Sequence, residues 1–253
     1  MKQLWLIGGT SDSAVIAEEL IALGQSLLVT VTTESAIALY PKSELITVRV
    51  GTLSFSQMID FVERYGIEGI IDASHPFAVA VSQSAIALAK QLNLPYLRYE
   101  RPSVTPKADS HTLILDGFDT LINGDYLQQQ RVLLTVGYKA LPLFRSWQEN
   151  AVLFARILPA MSSLENALAA GFSQKQLIAL RPPVSYELEK ALCEQWEISL
   201  IVTKASGKAG GEEIKQAVAK ALNIRLIILD RPQLDYPEKT SCLEDCLQWL
   251  SEK

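Results

Sequence analysis

Four short stretches of this chain carry residues that could do chemistry. Gly8-Gly9-Thr10-Ser11-Asp12-Ser13 joins an apolar run to a helical pattern. Such a strand–turn–helix can offer backbone amides and hydroxyls to a phosphate. It is a partial G-x-G-x-x-G, because Asp12 and Ser13 stand where later glycines would, so a plain βα turn competes with phosphate binding. Thr32-Thr33-Glu34-Ser35 ends the second apolar run. A carboxylate there suits the ribose of NAD and hydroxyls suit the 2′-phosphate of NADP, and position alone does not choose. Serines and threonines are also ordinary helix caps. Asp72-Ala73-Ser74-His75-Pro76-Phe77 ends the fourth run and holds one of only two histidines. His75 could be a catalytic base with Asp72 as its orienting acid, or part of a polar turn bonded locally. Lys204-Ala205-Ser206-Gly207, with Gly210 and Gly211, opens a later helix as a donor-rich loop but lacks the P-loop order.

The elements that must position these residues alternate. Short Val/Ile/Leu runs at 3–8, 27–32, 45–50, 69–73 and 95–99 predict strands. Helical patterns fall at 11–23, 54–65 and 77–92, with a short one at 35–40. Pro76 suits the first turn of the third helix, and Ser54 with Gln57 has capping-box spacing. After the Pro-rich stretch around 102–112 the pattern restarts, with strands at 132–136, 151–155, 177–180, 199–203 and 225–229. Helices are expected at 118–129, 139–148, 162–171, 185–195, 211–222 and 241–251, with capping boxes at Ser162/Glu165 and Ser241/Glu244. Two sets of five strands predict an α/β protein of two Rossmann-like domains, residues 1–103 and 104–253, each a largely parallel sheet flanked by helices. A cleft between them is then the default site. One large sheet is the structural alternative.

Composition removes several classes of function. A net charge of −5 gives no general attraction to nucleic acid or to an anionic membrane. No apolar run is long enough to span a bilayer and the N-terminus has no signal-peptide pattern, so a cytoplasmic protein is expected. Three cysteines without framework spacing fit a reducing compartment. Cys242 and Cys246 could share a helix face, but with two histidines in the chain core packing is favoured over a metal site.

Each strand of the second half is followed within a few residues by a cation: Lys139, Arg156, Arg181, Lys204 and Arg231. Lys and Arg are 23 of 253 residues, so five from five exceeds composition, although exposed loops carry charges in any protein. Such a rim suits a ligand with several carboxylates or phosphates. Arg98 and Arg101 add cations from the first half.

In order along the chain, LIGGTSDS, DASHPFA, PYLRYERP, LLTVGYKALPLF, ARILP, VTKASGKAGG and LDRP resemble the precorrin-6A reductase family of cobalamin biosynthesis. The resemblance implies NADPH-dependent reduction of the C18–C19 double bond of precorrin-6A or its cobalt form. It implies no metal, a small-molecule tetrapyrrole partner, and a monomer or weak homodimer. Carried over, Gly8, Gly9, Thr10, Ser11, Asp12, Thr32 and Thr33 would hold NADPH, with Ser74, His75, Pro76 and Phe77 at the nicotinamide end. Arg98, Arg101, Lys139, Arg156, Arg181, Lys204, Ser206, Gly207, Gly210 and Gly211 would take the substrate. His75, Lys204 and Tyr138 are the candidate proton donors, since Ala205 stands where the family often has an acid. The Arg181-Pro182-Pro183-Val184-Ser185 turn also departs from the family pattern. A non-catalytic NADP-binding sensor and a nucleotide-sugar transferase are the rival readings.

Overall fold

The computed structural model describes residues 3–102, 110–207 and 210–249. In chain order come β1 (Gln3–Ile7), α1 (Ser11–Ala22), β2 (Ser26–Val31), a 3-10 helix (Glu34–Leu39), β3 (Ile46–Val50), α2 (Phe55–Tyr65), β4 (Ile67–Asp72), α3 (Val79–Leu92) and β5 (Tyr96–Tyr99). Next are β6 (Thr112–Leu115), α4 (Phe118–Asn123), β7 (Arg131–Leu134), a 3-10 helix (Tyr138–Trp147), β8 (Val152–Ile157), α5 (Met161–Ala169) and β9 (Leu177–Ala179). The chain ends with α6 (Tyr186–Gln195), β10 (Leu200–Lys204), α7 (Glu212–Leu222), β11 (Arg225–Leu229), β12 (Lys239–Thr240) and α8 (Leu243–Trp249).

Among the described residues these strands form two six-stranded parallel sheets, ordered β12-β5-β4-β1-β2-β3 and β6-β11-β10-β7-β8-β9. The fold class is as the alternation of apolar runs implies, and a single large sheet is excluded. Continuous apolar strands result because both faces are covered. In β1, Leu4 and Leu6 pack on one face with Ile16 and Leu20 of α1, while Trp5 and Ile7 pack on the other with Phe61 of α2 and Leu88 of α3.

The division of the chain differs from the expected 1–103 and 104–253. One compact unit comprises residues 1–102 and 233–253, and the other 103–232. The last segment rejoins the first sheet: β12 pairs with β5 in the register Lys239–Arg98 and Thr240–Tyr99. The junction around 102–112 lies mostly outside the described residues.

Local chemistry explains the smaller differences. Pro142 lies within the expected helix 139–148, which is 3-10 rather than α. The helix expected at 118–129 stops at Asn123, before Gly124. The Ser54/Gln57 capping box forms. Ser162/Glu165 does not, because α5 starts at Met161 behind Ala160. At α8, Thr240 does the work expected of Ser241: its Oγ1 accepts from Cys242 N (3.0 Å) and donates to Asp245 (2.6 Å). Pro76 precedes α3 rather than opening it. Cys246 is buried in the core beside Trp249, and the Cys242 thiol donates to Glu244. No helix among the described residues is long and apolar enough to cross a membrane.

Candidate active site

In an open parallel sheet, ligands sit outside the carboxyl ends of the strands where the strand order reverses. In the first unit that point falls between β1 and β4, because the chain runs outward through β2 and β3 and then crosses back. The turns after these two strands are Gly8–Thr10 and Ala73–Phe77. They touch: Ala73 N donates to the Ile7 carbonyl (3.0 Å), and Thr10 Oγ1 donates to the Ala73 carbonyl (2.9 Å).

The glycine turn is committed internally more than its sequence suggests. Gly8 N donates to the Thr30 carbonyl, and Gly9 N donates to the Tyr40 hydroxyl at 2.8 Å. Thr10 and Ser13 make a reciprocal capping box, and Ser13 Oγ also meets Tyr40 Oη at 2.7 Å. Thr10 therefore caps the helix instead of offering its hydroxyl outward. What faces out is Gly9, exposed and at φ +97° with nothing within 4 Å of where a Cβ would stand, together with exposed Ser11. The first-turn amides of Ser11 and Asp12 have no helical acceptor, and the helix dipole favours an anion there. This cradle fits the pyrophosphate of a dinucleotide. The Asp12 carboxylate pairs with Arg101 Nη1 (2.8 Å), so Arg101 belongs with the glycine turn. Thr32 and Thr33 are exposed after β2, and Thr33 shares a hydrogen bond with Ser35 (3.2 Å).

Tyr40 had no signal in the local sequence, because its partners lie roughly 30 residues away. It makes a falsifiable demand on Gly8, where an added Cβ would lie 2.2 Å from Tyr40 Oη and 3.1 Å from Ser13 Oγ. Gly8→Ala is expected to lose about 1–3 kcal/mol in urea denaturation, the usual cost of overpacking. Tyr40→Phe in that background should recover part of the loss. Additive losses would show that the clash is not the cause.

In the second turn, His75 Nδ1 accepts from Phe77 N at 3.2 Å. In the neutral imidazole this places the proton on Nε2 and makes that atom a donor. Asp72 does not orient His75. Its Oδ1 accepts from Ser74 N (3.0 Å) and from Arg98 Nη1 (2.9 Å), and its Oδ2 accepts from Ser82 Oγ (2.6 Å) and Tyr96 Oη (2.8 Å). Ser74 is buried, with its Oγ accepting from Arg98 Nη1 (3.2 Å), and Pro76 is buried too. Arg98 is fully buried, which removes it from the expected substrate-binding cations.

The second unit reverses strand order between β7 and β10. The following turns hold Gly137-Tyr138-Lys139 and the loop from Lys204 to Gly211. Lys204 Nζ lies 4.0 Å from where a Cβ would stand on Gly137, so the fold brings Lys204 to the turn that carries Tyr138 and Lys139. Burial, and then the neighbouring Lys139 charge, lower the Lys204 pKa to about 8. Lys139 and Arg181 are exposed. The rest of the rim is engaged in the fold. Arg156 is ion-paired with buried Glu189, and Arg231 is buried with its Nε on the Ala205 carbonyl (2.9 Å). Ala205 packs in the core, where an acid would be desolvated.

Within the glycine loop, Ser206 Oγ donates back to the Lys204 carbonyl (3.0 Å). Gly210 approaches Ser206 so closely that a Cβ would fall 2.0 Å from its Oγ. Two residues with no local signal fasten the loop to α7. Glu212 Oε2 accepts from Gly207 N (2.7 Å), and Lys215 Nζ donates to the carbonyls of Gly210 (2.6 Å) and Gly211 (3.3 Å). Both are buried, and burial followed by the Arg156 charge brings Lys215 to about 8. A cavity of about 610 Å³ lies elsewhere in the first unit, lined by Thr47, Arg49, Asp60, Arg64 and Tyr65 among others, and by none of the switch-point residues.

Known proteins share this arrangement of elements. A solved structure of CobK precorrin-6A reductase matches at a TM-score of 0.79, covering 100% of this chain and 97% of that one, and at 22% identity it speaks for the fold. A cobalt-precorrin-6A reductase of Synechocystis sp. is 49% identical over 233 residues, 91% of this chain and 88% of that protein. Another, from Priestia megaterium, is 32% identical over 248 residues, 97% of this chain and 96% of that protein. The family model described as Precorrin-6x reductase CbiJ/CobK matches residues 3–251, so the glycine turn, the histidine turn and the lysine loop all fall inside it and the chain belongs to that family.

Proposed function

We propose that this chain reduces the C18–C19 double bond of cobalt-precorrin-6A or precorrin-6A, with NADPH as reductant. One observation carries the reading: the glycine turn and the histidine turn are bonded together at the β1/β4 switch point, where a dinucleotide belongs. A reductase family implies a nicotinamide cofactor, and the names of the relatives supply the macrocycle. The choice of NADPH over NADH rests on the hydroxyls of Thr32, Thr33 and Ser35 after β2, set against the single acid Glu34.

The turn carrying Gly9 and Ser11 would hold a dinucleotide by its phosphates, and its nicotinamide would supply a hydride to one carbon of the double bond. A proton must reach the other carbon, so one NADPH and one proton are consumed per bond reduced. Lys204 is our donor, a half-buried ammonium whose pKa is drawn toward neutrality. His75, through Nε2–H, orients the ring by a hydrogen bond. Exposed Lys139 and Arg181 are the cations for the macrocycle's carboxylates, and Arg101 serves the cofactor's phosphates. Three free thiols suit a reducing compartment, the cytoplasm.

The test is reduced-nicotinamide absorbance on mixing protein, NADPH and each form of the tetrapyrrole. NADPH should be consumed only when the tetrapyrrole is present, and NADPH should protect against heating where nucleotide sugars do not. Tight NADPH binding with no turnover of either tetrapyrrole would overturn the assignment and leave the sensor reading in its place.

A further inference from the structure

Below the histidine turn the first unit buries a charge pair, Asp72 at the end of β4 and Arg98 in β5, each 0% exposed. Desolvating two charges costs as much as their attraction returns or more, so such a pair is a poor source of stability compared with an apolar pair of equal volume. What it holds is specific. Arg98 Nη1 reaches Asp72 Oδ1 (2.9 Å), the Asp72 carbonyl (3.3 Å) and Ser74 Oγ (3.2 Å), while Asp72 Oδ1 takes the Ser74 amide (3.0 Å). Ser74 is therefore bound at both its amide and its hydroxyl, one residue before His75.

The other side of the same guanidinium is held by Glu100, which the β12 segment braces in turn. Nε and Nη2 donate to Glu100 Oε2 (3.3 and 3.1 Å), and Glu100 Oε1 receives Lys239 Nζ (3.1 Å). The Tyr236 ring lies 5.3 Å from the Arg98 guanidinium and 5.6 Å from Lys239 Nζ. Backbone bonds Arg98 N to Glu238 carbonyl and Glu100 N to Thr240 carbonyl, both 2.9 Å, keep β12 in register beside β5. A planar guanidinium fixed on both edges has one orientation, which a lone Asp72 contact would not enforce.

We propose that the C-terminal strand β12 is a positioning element for the histidine turn, with Lys239 and Glu100 setting the Arg98 guanidinium, which sets Ser74 and so the His75 imidazole. Its catalytic consequence rests on the proposed function, and its structural half does not. Lys239 is half exposed and its replacement leaves the core filled, so the variants are Lys239→Met and Glu100→Gln in the full chain, with Lys239→Arg as the conservative control. Amide hydrogen exchange at Ser74, Phe77 and Ala78 is measured alongside turnover of NADPH with cobalt-precorrin-6A. Exchange should quicken several-fold at those amides, and kcat should fall about tenfold with the macrocycle KM little changed, since a ring that His75 no longer orients is misaligned for the chemical step. Lys239→Arg should restore both. Wild-type exchange rates at the turn in Lys239→Met and Glu100→Gln would overturn the proposal, even if their urea midpoints fall. Wild-type protein that turns over neither tetrapyrrole would refute the proposed function instead, and exchange would still decide the positioning role.

Discussion

Arg98→Ala should destabilise the protein by about 3–5 kcal/mol in urea denaturation, the cost of leaving a buried carboxylate without its partner. Asp72 is fully buried, and Glu100 is nearly so, with its carboxyl held below the ordinary range despite burial by Lys239 and Arg98. The two carboxylates in turn hold the Arg98 pKa above its usual value against the desolvation that would lower it. Arg98→Lys should rescue little, because three guanidinium nitrogens are engaged and an ammonium cannot serve both edges. Exposed Arg181→Ala should change stability by less than about 0.5 kcal/mol. A loss below about 1 kcal/mol for Arg98→Ala would mean that the pair is solvated after all.

Lys204→Met should lower kcat by about 10²- to 10⁴-fold, the range for loss of a positioned general acid. The sign of the pH dependence follows from the depressed pKa. Below about 8 the ammonium carries its proton and can donate, and as pH rises through that value the donor is lost and turnover falls. Removing the neighbouring charge with Lys139→Ala should raise the Lys204 pKa and move the alkaline limb to higher pH. In Lys204→Met the residual rate should be flat across the same window. A variant that keeps the wild-type limb would place the donor elsewhere, with Tyr138, on the neighbouring turn, the next to replace.

Much of the fold was legible because its signals are local. A parallel strand covered on both faces reads as a short apolar run, and Leu4–Ile7 or Leu200–Val202 need no partner to be recognised. The strands that escaped notice are those with weak local character. β6 exposes Leu113 and Ile114, and β12 is two residues long and exists through its pairing with β5. The turns were legible for the same reason: glycines, hydroxyls and a histidine at strand ends announce a site whatever they touch.

Partnership was not legible. By itself the sequence determined the alternation, the parallel sheets, the turns at the strand ends and, through their combined motifs, the resemblance to one reductase family. Only the tertiary structure decided which charges those turns leave exposed and which are spent inside the fold. Arg98, Arg156 and Arg231 look in sequence like Lys139 and Arg181, yet the first three are held inside their own unit. Asp72 and Arg98 are 26 residues apart, and Lys239 and Glu100 are 139. An ion pair depends on distance in space, and only the packing of β4, β5 and the returning β12 brings those groups within reach of one another.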